Sequence, residues 1–306
     1  MNQPQSNGRR RWSYNPLPRN DENYAILIAV ALFYLITSSI VPSMKRYLAL
    51  KNISYTNTDD FQALLKIFQL EIKKDRNFLR VVLSKADVSR LFDVRNQVNH
   101  DNLGEIFINW RTHFGVLRRL CQSINDSNAE VEATRIYNLV NSGDATEAVR
   151  FHFRFSTRNH DRSFAALCLT QIIFIILIKY LAKNLWHFLL TKNRNCSHSP
   201  SLDLYINLKT AIAEQLKNKN YLWFRGILEK DGFTLSNCLF ARNANRHGQY
   251  VDIQTYWESF IESIIKLLER LNRIADATAV RNVLNKLTSA RRNRTEVNFV
   301  DLFNDL

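Results

Sequence analysis

The sequence predicts an all-α protein built as two tandem helical bundles. Three observations carry this. Apolar residues recur at i, i+3, i+4 and i+7 along much of the chain, the period of a half-buried helix. Turn and bulge chemistry is scarce, with 7 Gly and 5 Pro in 306 residues. The chain also repeats itself: a stretch starting at Arg95 aligns without a gap on one starting at Arg242, 147 positions later. Internal repetition sets the domain count, so it has to be read before the elements.

Residues 1–22 carry Pro, Gly, Asn and Arg with little to bury, which predicts a disordered basic leader. Copy one then spans 23–158 and copy two 159–306. In each copy the first helix is the most apolar, at about 24–50 and 163–190; "YAILIAVALFYLI" (24–36) can be laid on "FAALCLTQIIFII" (164–176). The second helix carries Phe61, Leu64, Leu65 and Phe68, answered by Leu204, Leu208, Ile212 and Leu216. The third follows "RVVLSK" (80–85) or "RGILEK" (225–230) and runs into a shared hexamer. The fourth has the stripes Trp110, Phe114, Leu117, Leu120 and Trp257, Phe260, Ile264, Leu267, Leu268. Both tryptophans open an apolar stripe, so they read as core anchors and not as base-stacking platforms. A last helix covers about 129–141 and 276–289.

Two segments need separate decisions. Residues 24–41 form an 18-residue run without a charge, the minimum for a membrane span, and "RRR" at 9–11 suits a cytoplasmic flank. The matching helix of copy two continues into Lys179, Lys183 and His187, four apart and therefore on one polar stripe. By analogy 24–41 is a central packing helix, with a membrane anchor as the minority reading. "AVRFHFRF" (148–155) alternates strictly, with Val149, Phe151, Phe153 and Phe155 facing one way. It predicts a strand that pairs with "TEVNFV" (295–300) as a two-strand seam between the copies, or else an RNA-facing basic ridge.

The net charge of +14 and the pI of about 9.8 favour a polyanionic partner, nucleic acid or an anionic membrane, or simply a positive surface. Cys121, Cys168, Cys196 and Cys238 form no CxxC pair, and Cys196 with His198 supplies two ligands at most. No metal and no cofactor are expected. Unpaired cysteines and the lack of a signal-peptide pattern point to an intracellular protein, in cytoplasm or nucleus.

The shared hexamer is "RNQVNH" (95–100) and "RNANRH" (242–247). With 27 Arg, 32 Asn and 7 His, chance supplies roughly 0.06 Arg-Asn-x-x-x-His hexamers in such a chain, the rate against which a motif is weighed. Around it, Ile106/Ile253, Trp110/Trp257, Leu120/Leu267 and Asn125/Asn272 are identical at the same spacing. On a helix Asn96 and His100 share a face, as do Asn243 and His247, so each amide is positioned to hold its imidazole. Arg95 and Arg242 reach the same place if the helix ends near the histidine, and Asp101 and Gly248 suit a helix end. Arg binds phosphate with a two-pronged fork and His moves protons near neutrality. That set suits RNA cleavage without metal: His takes the proton of a 2′-hydroxyl while Arg meets the growing charge. The products are a 2′,3′-cyclic phosphate and a 5′-hydroxyl. Two facing motifs supply both a base and an acid from one chain. The plain alternative is that Asn, His and Arg only cap a helix C-terminus. Arg246, Arg291, Arg292 and Arg294, with Arg281 upstream, are candidates for RNA phosphates or for a solvated helix end.

At these residues the chain resembles the HEPN superfamily, small helical bundles whose ribonuclease members carry Arg-x4–6-His, commonly with a polar residue after the Arg. The order of an aromatic-rich helix, "R-x-x-L-x-K", the motif and a long amphipathic helix looks most like the HEPN domain at the C-terminus of a PIN-containing, transcription-associated endoribonuclease. The resemblance covers about 24–155 and 163–300. It implies paired bundles with apposed motifs, and roles in cleavage for Arg95, Asn96, His100, Arg242, Asn243 and His247. In that subgroup the residue before the His is often small; here it is Asn99 or Arg246. The expectation is therefore a metal-independent endoribonuclease acting on RNA. The competing expectations are a silent tandem scaffold for RNA, a protein partner or a second copy, and a membrane-anchored adaptor.

Overall fold

The computed structural model describes residues 19–302, except 56–58, 76, 80–82, 101, 150, 157, 192–202 and 218–233. The leader up to residue 18, most of "RVVLSK", all of "RGILEK", and the Cys196/His198 pair lie outside the described residues.

The protein is all-α with a single two-stranded sheet among the described residues. Helix α1 comprises Arg19–Leu35, a π-helical segment Ile36–Ile40, and Val41–Leu50. It is followed by α2 (Phe61–Lys74), α3 (Lys85–Asn99), α4 (Leu103–Ser123), α5 (Ser127–Asn141), the single turn α6 (Ala145–Ala148) and β1 (His152–Arg154). The second half repeats the order through its fifth helix and then places its strand before the short turn instead of after it. Helix α7 comprises Asn159–Ile175, a π-helical segment Ile176–Ala182, and Lys183–Thr191. Then come α8 (Leu204–Lys217), α9 (Thr234–Arg246), α10 (Tyr250–Arg270), α11 (Ile274–Asn293), β2 (Glu296–Asn298) and α12 (Phe299–Leu302).

The repeat read from the sequence extends to the details. Helices α4 and α10 are each 21 residues long and start 147 positions apart. Each is followed, just past its C-cap, by an asparagine in the left-handed region, Asn125 (φ 56) and Asn272 (φ 57). Asparagine tolerates that conformation better than most residues, because its short amide bonds locally. Both first helices widen into a π segment, a feature that marks functional or strained positions. In α1 the hydroxyls of Thr37 and Ser38 bond back to the carbonyls of Phe33 and Tyr34 at 2.8 and 2.6 Å, competing with the helix's own ladder.

Each apolar first helix is the axis of its own bundle. α1 packs on α4, α5 and α6, and α7 packs on α9 and α10. The two axes also pack on each other. Phe33 and Phe174 stack face to face there, with centroids 4.4 Å apart and planes 8° apart, and Gln171 Nε2 donates to Thr37 Oγ1 at 3.0 Å. Two helices, Asp21–Leu50 and Arg162–Thr191, are long and apolar enough to cross a membrane, yet 78% of each such stretch is buried inside the protein. Lys183 is exposed and Lys179 and His187 are half-buried, so the polar stripe of α7 does face outward. The helix starts earlier than the leader boundary implies. Asp21 and Glu22 lie in its first turn, where negative charge complements the helix dipole, and Glu22 pairs with Lys183 of α7 at 2.7 Å.

The strand expectation holds in a shortened form. β1 and β2 pair antiparallel across the two halves, His152 with Asn298, Phe153 with Val297 and Arg154 with Glu296. Phe153 and Val297 point into the core, and the neighbouring Phe151 and Phe299 rings pack 4.5 Å apart. Trp110 and Trp257 are buried, as core anchors should be.

The stacked phenylalanines join the two axes. Replacing the fully buried Phe174 with Ala is expected to cost about 3–5 kcal/mol, the range for truncating a core aromatic. Denaturant unfolding checks this; a loss below about 1 kcal/mol would mean the axes are not tightly packed on each other.

Candidate active site

Both motif helices are terminated by local chemistry. α3 starts at a capping box, in which Ser84 accepts from the Asp87 amide and Asp87 accepts from the Ser84 amide. Arg119 of α4 then clasps Asp87 at 2.6 Å, fixing α3 against α4. The helix stops at Asn99, and His100 sits at the C-cap with non-helical φ −106° and ψ 17°. α9 stops at Arg246, and Gly248 follows with φ +63°. A side chain on Gly248 would meet the Cβ and carbonyl oxygen of Asp59 at 2.8 Å, so the second motif is pressed against the first half of the chain.

The two motifs meet, and they meet through residues that the sequence reading missed. His100 Nδ1 lies 2.7 Å from Asp203 Oδ2, and His247 Nδ1 lies 2.8 Å from Asp60 Oδ2. Each histidine is thus held by the carboxylate of the other copy. Such reciprocity is the isologous pattern of a two-fold pair, here within one chain. Both aspartates stand at the start of a second helix: Asp60 accepts from the Gln62 amide at 2.8 Å and Asp203 from the Tyr205 amide at 2.9 Å. Each carboxylate caps its own helix with one oxygen and reaches the opposing imidazole with the other.

The arginines lie beneath the histidines. Arg95 and Arg242 are 8% and 5% exposed, whereas the His100 and His247 side chains are 47% and 40% exposed. Arg95 Nη1 donates to Asn96 Oδ1 at 3.2 Å and Arg242 Nη1 to Asn243 Oδ1 at 3.3 Å. Arg242 Nη2 also donates to the Asn99 carbonyl at 2.9 Å and lies 3.4 Å from Asp203 Oδ1. Turned so that its amide oxygen faces Arg95, Asn99 accepts from Nε at 3.0 Å and Nη2 at 3.3 Å. Asn99 therefore ties the two motif arginines together, through its backbone to one and its side chain to the other. The Tyr205 ring lies 5.0 Å from the Arg242 guanidinium carbon, and Arg242 Nε has no hydrogen-bond partner among the described residues.

The charges answer one another. Burial raises the Asp60 carboxyl, but hydrogen bonds from His247 and the Gln62 amide and the charges of His247 and Arg95 outweigh it, so its pKa falls below 3.8. Asp203 is likewise lowered: burial opposes, and the His100 hydrogen bond, the charges of Arg242 and His100 and the Tyr205 amide win. Arg95 is pressed below its ordinary range, first by burial, with the like charge of Arg242 adding and Asp60 and Asp203 opposing. Among the described residues no group of three or more His, Cys, Asp or Glu is placed to hold a metal ion.

Two expectations are corrected. Asn96 and Asn243 do not hold the histidines of their own motifs; their side-chain oxygens take the neighbouring arginines. The physical reason is the cap: at the helix end His100 leaves the helical face that Asn96 occupies and turns to the other copy. Arg246 is not a surface residue for RNA. It is 4% exposed, with its guanidinium 4.0 Å from the Phe174 ring and 5.8 Å from the Phe33 ring, so it stacks on the central aromatic pair. Arg291, Arg292 and Arg294 are exposed, Arg291 pairing with Glu258 at 2.8 Å, and Arg281 pairs with Glu269. Asp101 lies outside the described residues. The signal for Asp60 and Asp203 was present as an aspartate directly before an apolar helix start, "DFQALL" and "DLYINL", 143 positions apart. Compared with protein families, curated proteins and solved structures, the chain matches none of them.

Both carboxyls are harder to protonate folded than unfolded. They therefore stabilise the fold above pH 3.8, and that contribution is lost as pH falls through their lowered values. Asp203→Asn is expected to weaken the fold at neutral pH and to flatten its acid dependence, as read by denaturant unfolding at a series of pH values. An acid limb identical to that of the unmodified protein would contradict the assignment.

Proposed function

We propose that this chain is a metal-independent endoribonuclease of the HEPN type, with one composite site made from both motifs. The observation that supports it best is the crossed pairing of His100 with Asp203 and of His247 with Asp60. A carboxylate on Nδ1 sets the tautomer, turns Nε2 outward as the working nitrogen and steadies the imidazolium when it forms. One histidine takes the proton of the 2′-hydroxyl through Nε2. The 2′-oxygen bonds to phosphorus, the bond to the 5′-oxygen breaks, and the other histidine protonates the departing oxygen. The cyclic phosphate and the 5′-hydroxyl follow. Arg95 and Arg242 carry positive charge under the seam, where charge grows on the phosphoryl oxygens. The aspartates are positioning residues, acting through the imidazoles. In this reading RNA is the partner, no cofactor is needed and the protein works inside the cell.

One observation favours a second reading. Both arginines are more than nine-tenths buried and bonded to their neighbours, as in a network whose work is to join the copies. The chain would then be a silent tandem scaffold for RNA or for a protein.

Cleavage of a generic structured RNA in EDTA separates the two. His100→Ala and His247→Ala should each lower the rate by about 10²–10⁴-fold, the worth of one general acid or base, and the double variant should be little worse. Halving by each variant would mean two independent sites. No cleavage by a folded wild-type protein across several RNAs would favour the scaffold.

A further inference from the structure

A second feature lies on the copy-two side of the seam. A cleft of about 460 Å³ opens between the start of α7, the start of α10, the end of α11 and the chain just after β1. Arg162, Arg291 and Arg294 line it together with Gln254, Trp257 and Phe155, and among the described residues no aspartate or glutamate does. Three like charges around one hollow repel each other, and an anion between them relieves the repulsion. Arg291 is paired with Glu258, but among the described residues the guanidinium groups of Arg162 and Arg294 have no partner. The floor is aromatic: Phe155 stacks on the buried Trp257 ring, centroids 5.6 Å apart and planes 26° apart.

Arg294 is also in an unusual place. It follows α11 with φ 54°, a left-handed position that glycine or asparagine normally fills. Among the described residues the other three such non-glycine positions are all asparagine. Residues held in this region persist where something else requires them, often at binding sites. The cleft also shares α7 with a contact to the second motif. Its wall includes Leu169, next to Thr170, whose carbonyl accepts from Asn245 at 2.6 Å, two residues before His247.

We propose that this cleft binds a nucleotide unit, its phosphate on Arg162 and Arg294 and its base against Phe155. The volume suits a ligand of that size, and forked arginines over an aromatic floor suit a phosphate joined to a flat ring. The site serves either a strand of RNA leaving the seam, which rests on the activity proposed above, or a free nucleotide.

The test uses the full chain carrying His100→Ala and His247→Ala, so that binding is read without cleavage. Fluorescence anisotropy with a labelled, unstructured 12-nucleotide RNA is compared with and without Arg162→Ala plus Arg294→Ala, and adenosine monophosphate is titrated in parallel. For RNA, the arginine variant should bind at least tenfold more weakly, with a salt slope smaller by about 1.4, the value for two lost contacts to a single strand. Loss of adenosine monophosphate binding with unchanged RNA binding would assign the site to free nucleotide. Replacing both arginines by lysine should restore binding only in part, because charge returns without the fork. RNA and nucleotide binding both unchanged in the alanine variant would overturn the proposal. Cleft-dependent binding with no cleavage by the wild type would remove the proposed activity and leave the cleft; cleavage with cleft-independent binding would do the reverse.

Discussion

A carboxylate at the start of one repeat's second helix meets the imidazole at the end of the other repeat's motif helix, and this contact is made twice. The rest of the structure is arranged around it. Because the partners come from opposite repeats, neither pair can form unless the two bundles face each other with their motif ends together. The caps supply the aim. Asp60 and Asp203 are fixed by the amides they cap, and the histidines are freed from the helical face by standing one residue past the last helical turn. Local helix chemistry and long-range pairing are thereby the same side chains.

Such a seam is expensive to bury. Two guanidinium groups, each more than nine-tenths buried, sit close enough for Arg242 to disfavour the charge on Arg95. Removing charges from water costs several kcal/mol per ion unless partners replace the water. The partners here are Asp60, Asp203 and Asn99, whose backbone and side chain serve one arginine each. The apolar axes hold these groups in register: α1 and α7 cross at the Phe33–Phe174 stack, and Arg246 lies over it. Net stability then comes from the apolar contact, and the polar network fixes which faces meet.

Much of this was legible in the sequence, and the reasons are particular. The all-α class, the duplication and the shared motifs followed from apolar spacing and from identical residues at one offset. The pairing of β1 with β2 followed from strict alternation, although the ladder is shorter than the alternating run. The aspartates were not found, because insertions between the second helix and the motif shift their offset from 147 to 143, and an aspartate before a helix reads as an ordinary cap. Arg246 was misjudged because charge suggests surface, whereas two phenylalanines far apart in sequence build the apolar platform it stacks on. Asn99 looked like a departure from the resembled pattern; its geometry makes it the tie between the arginines.

The central claim is that each motif histidine is held by the other repeat's aspartate. Long-range ¹H–¹⁵N spectra of the imidazole nitrogens test it most directly. The account predicts both rings as the Nδ1–H tautomer when neutral. Asp203→Asn should then perturb the nitrogens of His100 and leave those of His247, while Asp60→Asn does the opposite. If each substitution instead disturbed the histidine of its own repeat, or neither histidine responded, the crossed pairs would not exist in solution and the composite site would fall with them.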